Sequence, residues 1–99
     1  MKTLRILCAA VYYDDGKKHE HQPTNIYNGF VICGHRHHNC LLLLFELVKD
    51  TNKEKIIQGF LTSNNTFVDR QEAFAIALEA NQIINSYAKC PALVSEDLY

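Results

Sequence analysis

The stretch Phe30-Val31-Ile32-Cys33-Gly34-His35-Arg36-His37-His38-Asn39-Cys40-Leu41-Leu42-Leu43-Leu44-Phe45-Glu46-Leu47-Val48 decides how this chain is read. Its first part is apolar and β-branched, the composition of a strand, and Gly34 interrupts it. Its last part places Leu41, Leu44, Phe45 and Val48 at i, i+3, i+4 and i+7, the spacing of one helix face. Leu43 and Leu47 widen that stripe beyond what one core face needs. The helix, expected over residues 39–49, is therefore either central in the fold or partly buried by another subunit. Between strand and helix sits an ionisable knot: His35, Arg36, His37, His38 and Cys40.

Upstream, residues 4–13 read as a first strand. Leu4, Ile6, Cys8, Ala10 and Tyr12 fall on one side, and Arg5, Leu7, Ala9, Val11 and Tyr13 on the other. Asp14-Asp15-Gly16 signals a turn, and residues 17–24 (KKHEHQPT) form a polar loop with His19 and His21 in solvent. The second strand is expected over residues 26–33, with a bulge or bend at Asn28-Gly29, pairing antiparallel with the first.

Downstream, residues 50–55 are a charged loop and residues 56–62 (IIQGFLT) a third strand. Ser63-Asn64-Asn65-Thr66 is a turn, and Phe67-Val68 a short returning strand. Asp69 caps a second helix, and Glu72 completes a capping-box pattern. Ala73, Ile76, Ala77, Ala80 and Ile84 make its inward face. A tail follows from Asn85, with Leu93, Val94, Leu98 and Tyr99 as docking anchors. The order strand, strand, helix, strand, helix gives an α+β fold: one domain over residues 1–99, a small antiparallel sheet with two helices to cover it.

The chain has 99 residues, 47% of them apolar, and a formal net charge of −1. A chain this short buries only about two thirds of its unfolded surface, so oligomerisation would help it. No polybasic run is present, which argues against a duplex nucleic-acid partner. No apolar run approaches the ~20 residues of a membrane span, and the N-terminus does not read as a signal peptide. The four cysteines show no CxxC pair, so free thiols in a cytoplasmic protein are expected.

Three chemistries compete for the knot. Cys33, His35, His37, His38 and Cys40 suit zinc by ligand type, but their spacing matches no common structural zinc pattern. A histidine triad of the nucleotide-hydrolase kind would need a third alternating histidine, and that place holds Asn39. A Cys40–His37 dyad remains conceivable, although an enzyme is less favoured than a binder. For an anion, the N–H groups of residues 39–41 would be the helix's open donors, and Arg36 with His37 or His38 would complement a phosphate. Arg70 stands at the start of the other helix. The bland alternative pairs Arg36 with Asp97 or Glu96. Phe60 and Phe67 flank a turn containing Thr62 and Asn64, an arrangement that can stack on a base and read its edge. The bland alternative is that both are simply core, as strand aromatics usually are.

Several blocks together resemble a known family: Gly34-His35-Arg36-His37, Gln58-Gly59-Phe60-Leu61-Thr62-Ser63, Phe67-Val68-Asp69-Arg70-Gln71-Glu72-Ala73, Ala80-Asn81-Gln82-Ile83 and Ser95-Glu96-Asp97-Leu98. They resemble the anti-Thoeris sponge proteins of bacteriophages, of the type-one group that sequesters cyclic ADP-ribose. The resemblance implies a protein without catalytic residues, metal or cofactor. It implies a homodimer or a higher oligomer such as a hexamer. The partner would be a cyclic ADP-ribose isomer or a cyclic oligonucleotide, held intact in the host cytoplasm. It would make Phe60 a base-stacking residue, Arg36 a phosphate contact, and Asp69 and Arg70 neighbours of the ligand. The chain departs from the family where basic residues follow the second helix: none occurs here before Lys89. Residues 17–24 also read as an insertion.

Overall fold

The computed structural model describes residues 4–49, 52–83 and 98. Strand β1 (Ile6–Tyr13) is followed by β2 (Phe30–Gly34), helix α1 (His37–Leu47), β3 (Ile56–Thr62), β4 (Phe67–Asp69) and helix α2 (Arg70–Glu79), with a 3-10 turn over Lys53–Lys55. The strands form one sheet in the order β2-β1-β3-β4, and every pairing is antiparallel. This is the expected α+β architecture. Because β2 and β3 both run antiparallel to β1, they are parallel to each other with β1 between them. A connection between parallel strands must cross a face of the sheet, and α1 makes that crossing. The core lies where both helices meet this face: Ala9 and Val11 of β1, Phe60 of β3, Cys40 and Leu44 of α1, and Ala73 and Ala77 of α2 are all essentially inaccessible.

The strand periodicity needed one correction. Ile6 pairs with Thr62 and Cys8 with Leu61, so the register slips by one residue between them. A one-residue bulge flips the side-chain phase. Ile6 thus joins Ala9, Val11 and Tyr13 in the core instead of facing away with Cys8 and Ala10. Strand β2 starts at Phe30, later than expected, because Gly29 takes φ +85° and turns the chain there. A side chain at Gly29 would also collide with the Tyr13 carbonyl at 2.5 Å.

Residues 14–29 are not a free loop. The Gln22 side chain accepts the Val31 N–H of edge strand β2 at 2.8 Å. Asn25 then donates to the Phe67 carbonyl at 2.7 Å and accepts its N–H at 2.9 Å on edge strand β4. Tyr12 donates to the Asn28 carbonyl at 2.6 Å. The connection therefore runs from one sheet edge to the other over the face the helices leave open, and it occupies both edges. His19 is only partly in solvent. It bonds Asp15 at 2.8 Å and sets its ring edge-on to Phe30 at 5.3 Å. His21 is the more exposed of the pair.

Helix α1 begins two residues earlier than its apolar spacing suggested. Arg36 is extended (φ −131°, ψ 157°) and forms the N-cap, and its N–H donates to the Asn39 side chain at 3.1 Å. The buried stripe is His37, Cys40 and Leu44, with Leu41 and Val48 packed against the core. Phe45, expected in that stripe, is 42% exposed, and Leu42, Leu43 and Leu47 are exposed with it. Helix α2 carries the expected capping box: Asp69 accepts the Glu72 N–H at 2.8 Å, and Glu72 reaches back to the Asp69 N–H. Asn81 (φ 58°) ends the helix, and the Gln82 side chain clamps Ile6, accepting its N–H at 2.7 Å and donating to its carbonyl at 2.9 Å. Leu98 packs on the core, while Ile84, Leu93, Val94 and Tyr99 lie outside the described residues. No described helix is long and apolar enough to cross a membrane.

The Gln82 clamp fixes β1 to the end of α2 with two partly buried bonds worth ~1 kcal/mol each. Gln82→Leu keeps the bulk and removes both. It is expected to cost ~1–3 kcal/mol, lowering the thermal midpoint by roughly 4–8 °C per kcal/mol in a domain this size. An unchanged melting curve would mean that the clamp contributes nothing.

Candidate functional site

The two sequence blocks suspected of forming a site meet on β3. From α1, the His37 ring donates through Nε2 to the Gly59 carbonyl at 2.7 Å and stands edge-on to Phe60, centroids 4.9 Å apart. From α2, Arg70 donates through Nη2 to Gln58 Oε1 at 2.7 Å. Both helix starts therefore converge on Gln58-Gly59-Phe60 within one chain, with no second subunit required.

That convergence consumes much of what was expected to face a ligand. Phe60 is wholly buried among core side chains and has no ring face open to a base. Phe67 is 7% exposed, with its ring against Tyr12 and over Gly59. Thr62 is inaccessible, and its hydroxyl belongs to the turn: the Thr66 N–H donates to it at 3.2 Å, and Asn64 Oδ1 accepts from the Thr66 hydroxyl at 2.8 Å. Asn64 is thus a turn-stabilising side chain. His37 is 8% exposed and spent on Gly59. Arg70 is half-buried, and its Nε has no hydrogen-bond partner among the described residues.

The open donors at the start of α1 also differ from the expectation. The Asn39 and Cys40 N–H groups both go to the Arg36 carbonyl, at 3.0 and 3.3 Å. With the helix starting at His37, these two donors are satisfied within its first turn. What stays accessible is His35 and His38, both exposed, with Arg36 half-buried between them, and Asp69 on the rim of β4. Asp97 and Glu96, the alternative partners of Arg36, lie outside the described residues.

Beside this segment is a cleft of about 460 Å³ lined by Leu7, Cys8, Cys33, Gly34 and His35. It occupies the corner of the sheet where β1 begins and β2 ends. Cys8 and Cys33 share the face that Ala10 and Tyr12 also occupy, and strand pairing sets them diagonally across from each other. The neighbouring Cys33 side chain favours the Cys8 thiolate and brings its pKa down from 9.0 to about 7, against the opposing effect of partial burial. The same partnership pushes the Cys33 thiol up. Cys40 lies on the opposite face, where burial raises it to about 11 and its thiol points at the Ala9 carbonyl, 3.7 Å away. The sequence hid the Cys8–Cys33 pair because 24 intervening residues separate thiols that only strand pairing unites.

A second cleft, about 480 Å³, opens at the edge of β2 between residues 15–22 and the end of α1, walled by Phe30, Ile32, Leu47 and Val48 with the Asp15–His19 pair at its mouth. Burial works to raise the Asp15 carboxyl, but the Lys17 N–H and His19 outweigh it and hold the group below its usual range. Among the described residues no three His, Cys, Asp or Glu side chains gather closely enough to hold a metal ion.

No curated protein and no solved structure matches the chain. A family model does, described as phage T4 y16D protein, over residues 5–99. It supports the expectation of a small phage protein at that level, without extending to the sponge group. Since the match covers nearly the whole sequence, the chain belongs to the phage T4 y16D protein family.

Proposed function

We propose that this phage-family protein is a non-catalytic binder that takes up a small cyclic nucleotide signal, of the cyclic ADP-ribose or cyclic oligonucleotide class, and holds it intact in the host cytoplasm as a homo-oligomer. The observation that carries the reading is the corner at the start of α1. There half-buried Arg36 falls in the chain between the exposed residues His35 and His38, and His35 lines a cleft of about 460 Å³. An arginine with histidines near it in the chain suits a phosphate or pyrophosphate, since the guanidinium donors form a fork that matches phosphate oxygens. With Phe60, Thr62 and Phe67 committed to the core, base recognition falls to other surfaces, and beside His38 the exposed residues among those expected at the site are Asn64 and Asp69. The outer face of α1, with Leu42, Leu43, Phe45 and Leu47 exposed, offers an apolar surface for self-association.

The reading is tested by incubating the protein with cyclic ADP-ribose isomers and cyclic oligonucleotides, separating protein from free ligand, then heating the complex. Depletion before heating and release of intact ligand afterwards is the expected result. Arg36→Ala should weaken binding roughly 10–100-fold, the loss of a hydrogen-bonded charge worth ~1.5–3 kcal/mol, measured at a temperature where both proteins are folded. No depletion of any candidate ligand would end the proposal, and a new product in the chromatogram would replace it with an enzyme. The apolar face of α1 favours a second reading, a phage interaction protein without a small ligand. Retained partner binding in Arg36→Ala and its loss in Leu43→Ser/Leu47→Ser would mark that case.

A further inference from the structure

We propose that Cys8 and Cys33 form a dithiol site that exchanges with low-molecular-weight disulfides and closes into a reversible cross-strand disulfide at the mouth of the cleft. Several features carry it. The two residues sit on neighbouring strands and the same sheet face: Ala10 is the direct partner of Cys33, which places Cys8 diagonally across from it. Both line the cleft, and each shifts the ionisation of the other, in opposite directions. Cys33 is exposed and Cys8 is half-buried, so a small disulfide can approach from solvent. The connection that blankets the rest of this face, anchored at Gln22 and Asn25, does not contribute to the lining of this corner. Cys40, by contrast, is buried under α1 on the opposite face with a raised pKa, and lacks that access.

The roles within the pair are unequal. Cys8, lowered to about 7, supplies the attacking thiolate, and Cys33 holds its proton and serves as the resolving thiol. In the first step Cys8 Sγ attacks one sulfur of an external disulfide RSSR. The S–S bond breaks, a Cys8–S–SR mixed disulfide forms, and RS⁻ leaves. In the second step Cys33 gives up its proton and attacks Cys8 Sγ. The Cys8–Cys33 bond forms, the second RS⁻ leaves, and the released proton goes to a thiolate or to solvent. Two electrons pass from the dithiol to RSSR, which ends as two thiols. Diagonal positions in an antiparallel pair lie ~7–8 Å apart, beyond the usual Cα spacing of a disulfide, so closing the bond must draw the strand ends together. A bond formed under that constraint is readily reduced again, as fits a regulated link more than a permanent one. Because β2 runs directly into Gly34 and His35, closure would also reshape the cleft.

The inference does not depend on any nucleotide ligand, and its experiment contains none. The protein is equilibrated with mixtures of oxidised and reduced glutathione, quenched with a maleimide and mapped by peptide mass spectrometry. A Cys8–Cys33 link that grows with the proportion of oxidised glutathione is expected, and added thiol should reverse it. Cys33→Ser, at an exposed position, should melt like the parent and accumulate glutathione on Cys8 instead. The ordinary thiol value of 9.0 leaves about 1% thiolate at pH 7, and a value of about 7 leaves about half. Allowing for the weaker nucleophilicity of a less basic thiolate, Cys8 should react with iodoacetamide roughly five-fold faster at pH 7 than an ordinary protein thiol. Linkage through Cys40 or Cys90, a wild-type mixed disulfide that never resolves, or an inert Cys8 would each overturn the proposal.

Discussion

Gly59→Ala is expected to leave the protein unfolded or close to it. A Cβ at that position would stand 2.0 Å from the Val68 carbonyl and 2.7 and 2.8 Å from two atoms of the Phe67 ring. Neither neighbour can step aside. Val68 is paired with Phe60 in the β3–β4 ladder, and Phe67 is held at N–H and carbonyl by Asn25 and at its ring by Tyr12. Relief therefore requires β4 to separate from β3. That would pull the N-cap Asp69 away with it and loosen the start of α2. Overpacking costs ~1–3 kcal/mol where side chains can adjust, and a backbone collision belongs at or above the top of that range. Against a total of ~5–15 kcal/mol for a domain of this kind, the loss is decisive. Urea denaturation followed by far-UV circular dichroism measures it. A shift worth less than ~0.5 kcal/mol would show that the sheet accommodates the methyl group and that β4 is looser than described.

The second large effect is expected at Phe60, where two roles compete. As a core residue, Phe60→Ala should cost ~3–5 kcal/mol, the lost transfer energy plus the cavity left under both helices. It also removes the ring that His37 packs on edge-to-face, although the His37–Gly59 bond remains. Phe60→Leu, which restores most of the volume, should recover much of that loss and leave ligand uptake unchanged. As a base-stacking residue, Phe60 would behave in the opposite way: alanine would fold normally and leucine would abolish binding. Denaturation midpoints and ligand-depletion measurements on the same two variants separate the cases. The complete burial of Phe60 is the reason to expect the first.

The parts of this fold legible in the sequence are those governed by neighbours along the chain. The capping box of Asp69 and Glu72, the turn at residues 63–66, the bend at Gly29 and the order of strands and helices all depend on contacts within a few residues. The candidate site was legible only as two suspicious blocks. Residue type could not tell whether an aromatic beside a polar turn faces a ligand or the core, because Phe60 and Phe67 would look the same in both cases. Nor could it place His37, which periodicity assigned to a loop and an extended Arg36 moved into the first turn of α1.

By itself, then, the sequence determined the α+β class, the antiparallel pairing of the first two strands, the capped second helix and the ionisable segment before the first helix. Each is a local signal, set by side-chain period or by a side chain bonding its own backbone. Tertiary structure alone decided the rest. A bulge in β1 reversed the phase of Ile6, Asn25 and Gln22 drew a polar connection over the open face, and strand pairing placed Cys8 beside Cys33. These outcomes join residues far apart in the chain, and their energies depend on register and burial. A register exists only once the strands have paired, so no reading of one strand at a time can contain it.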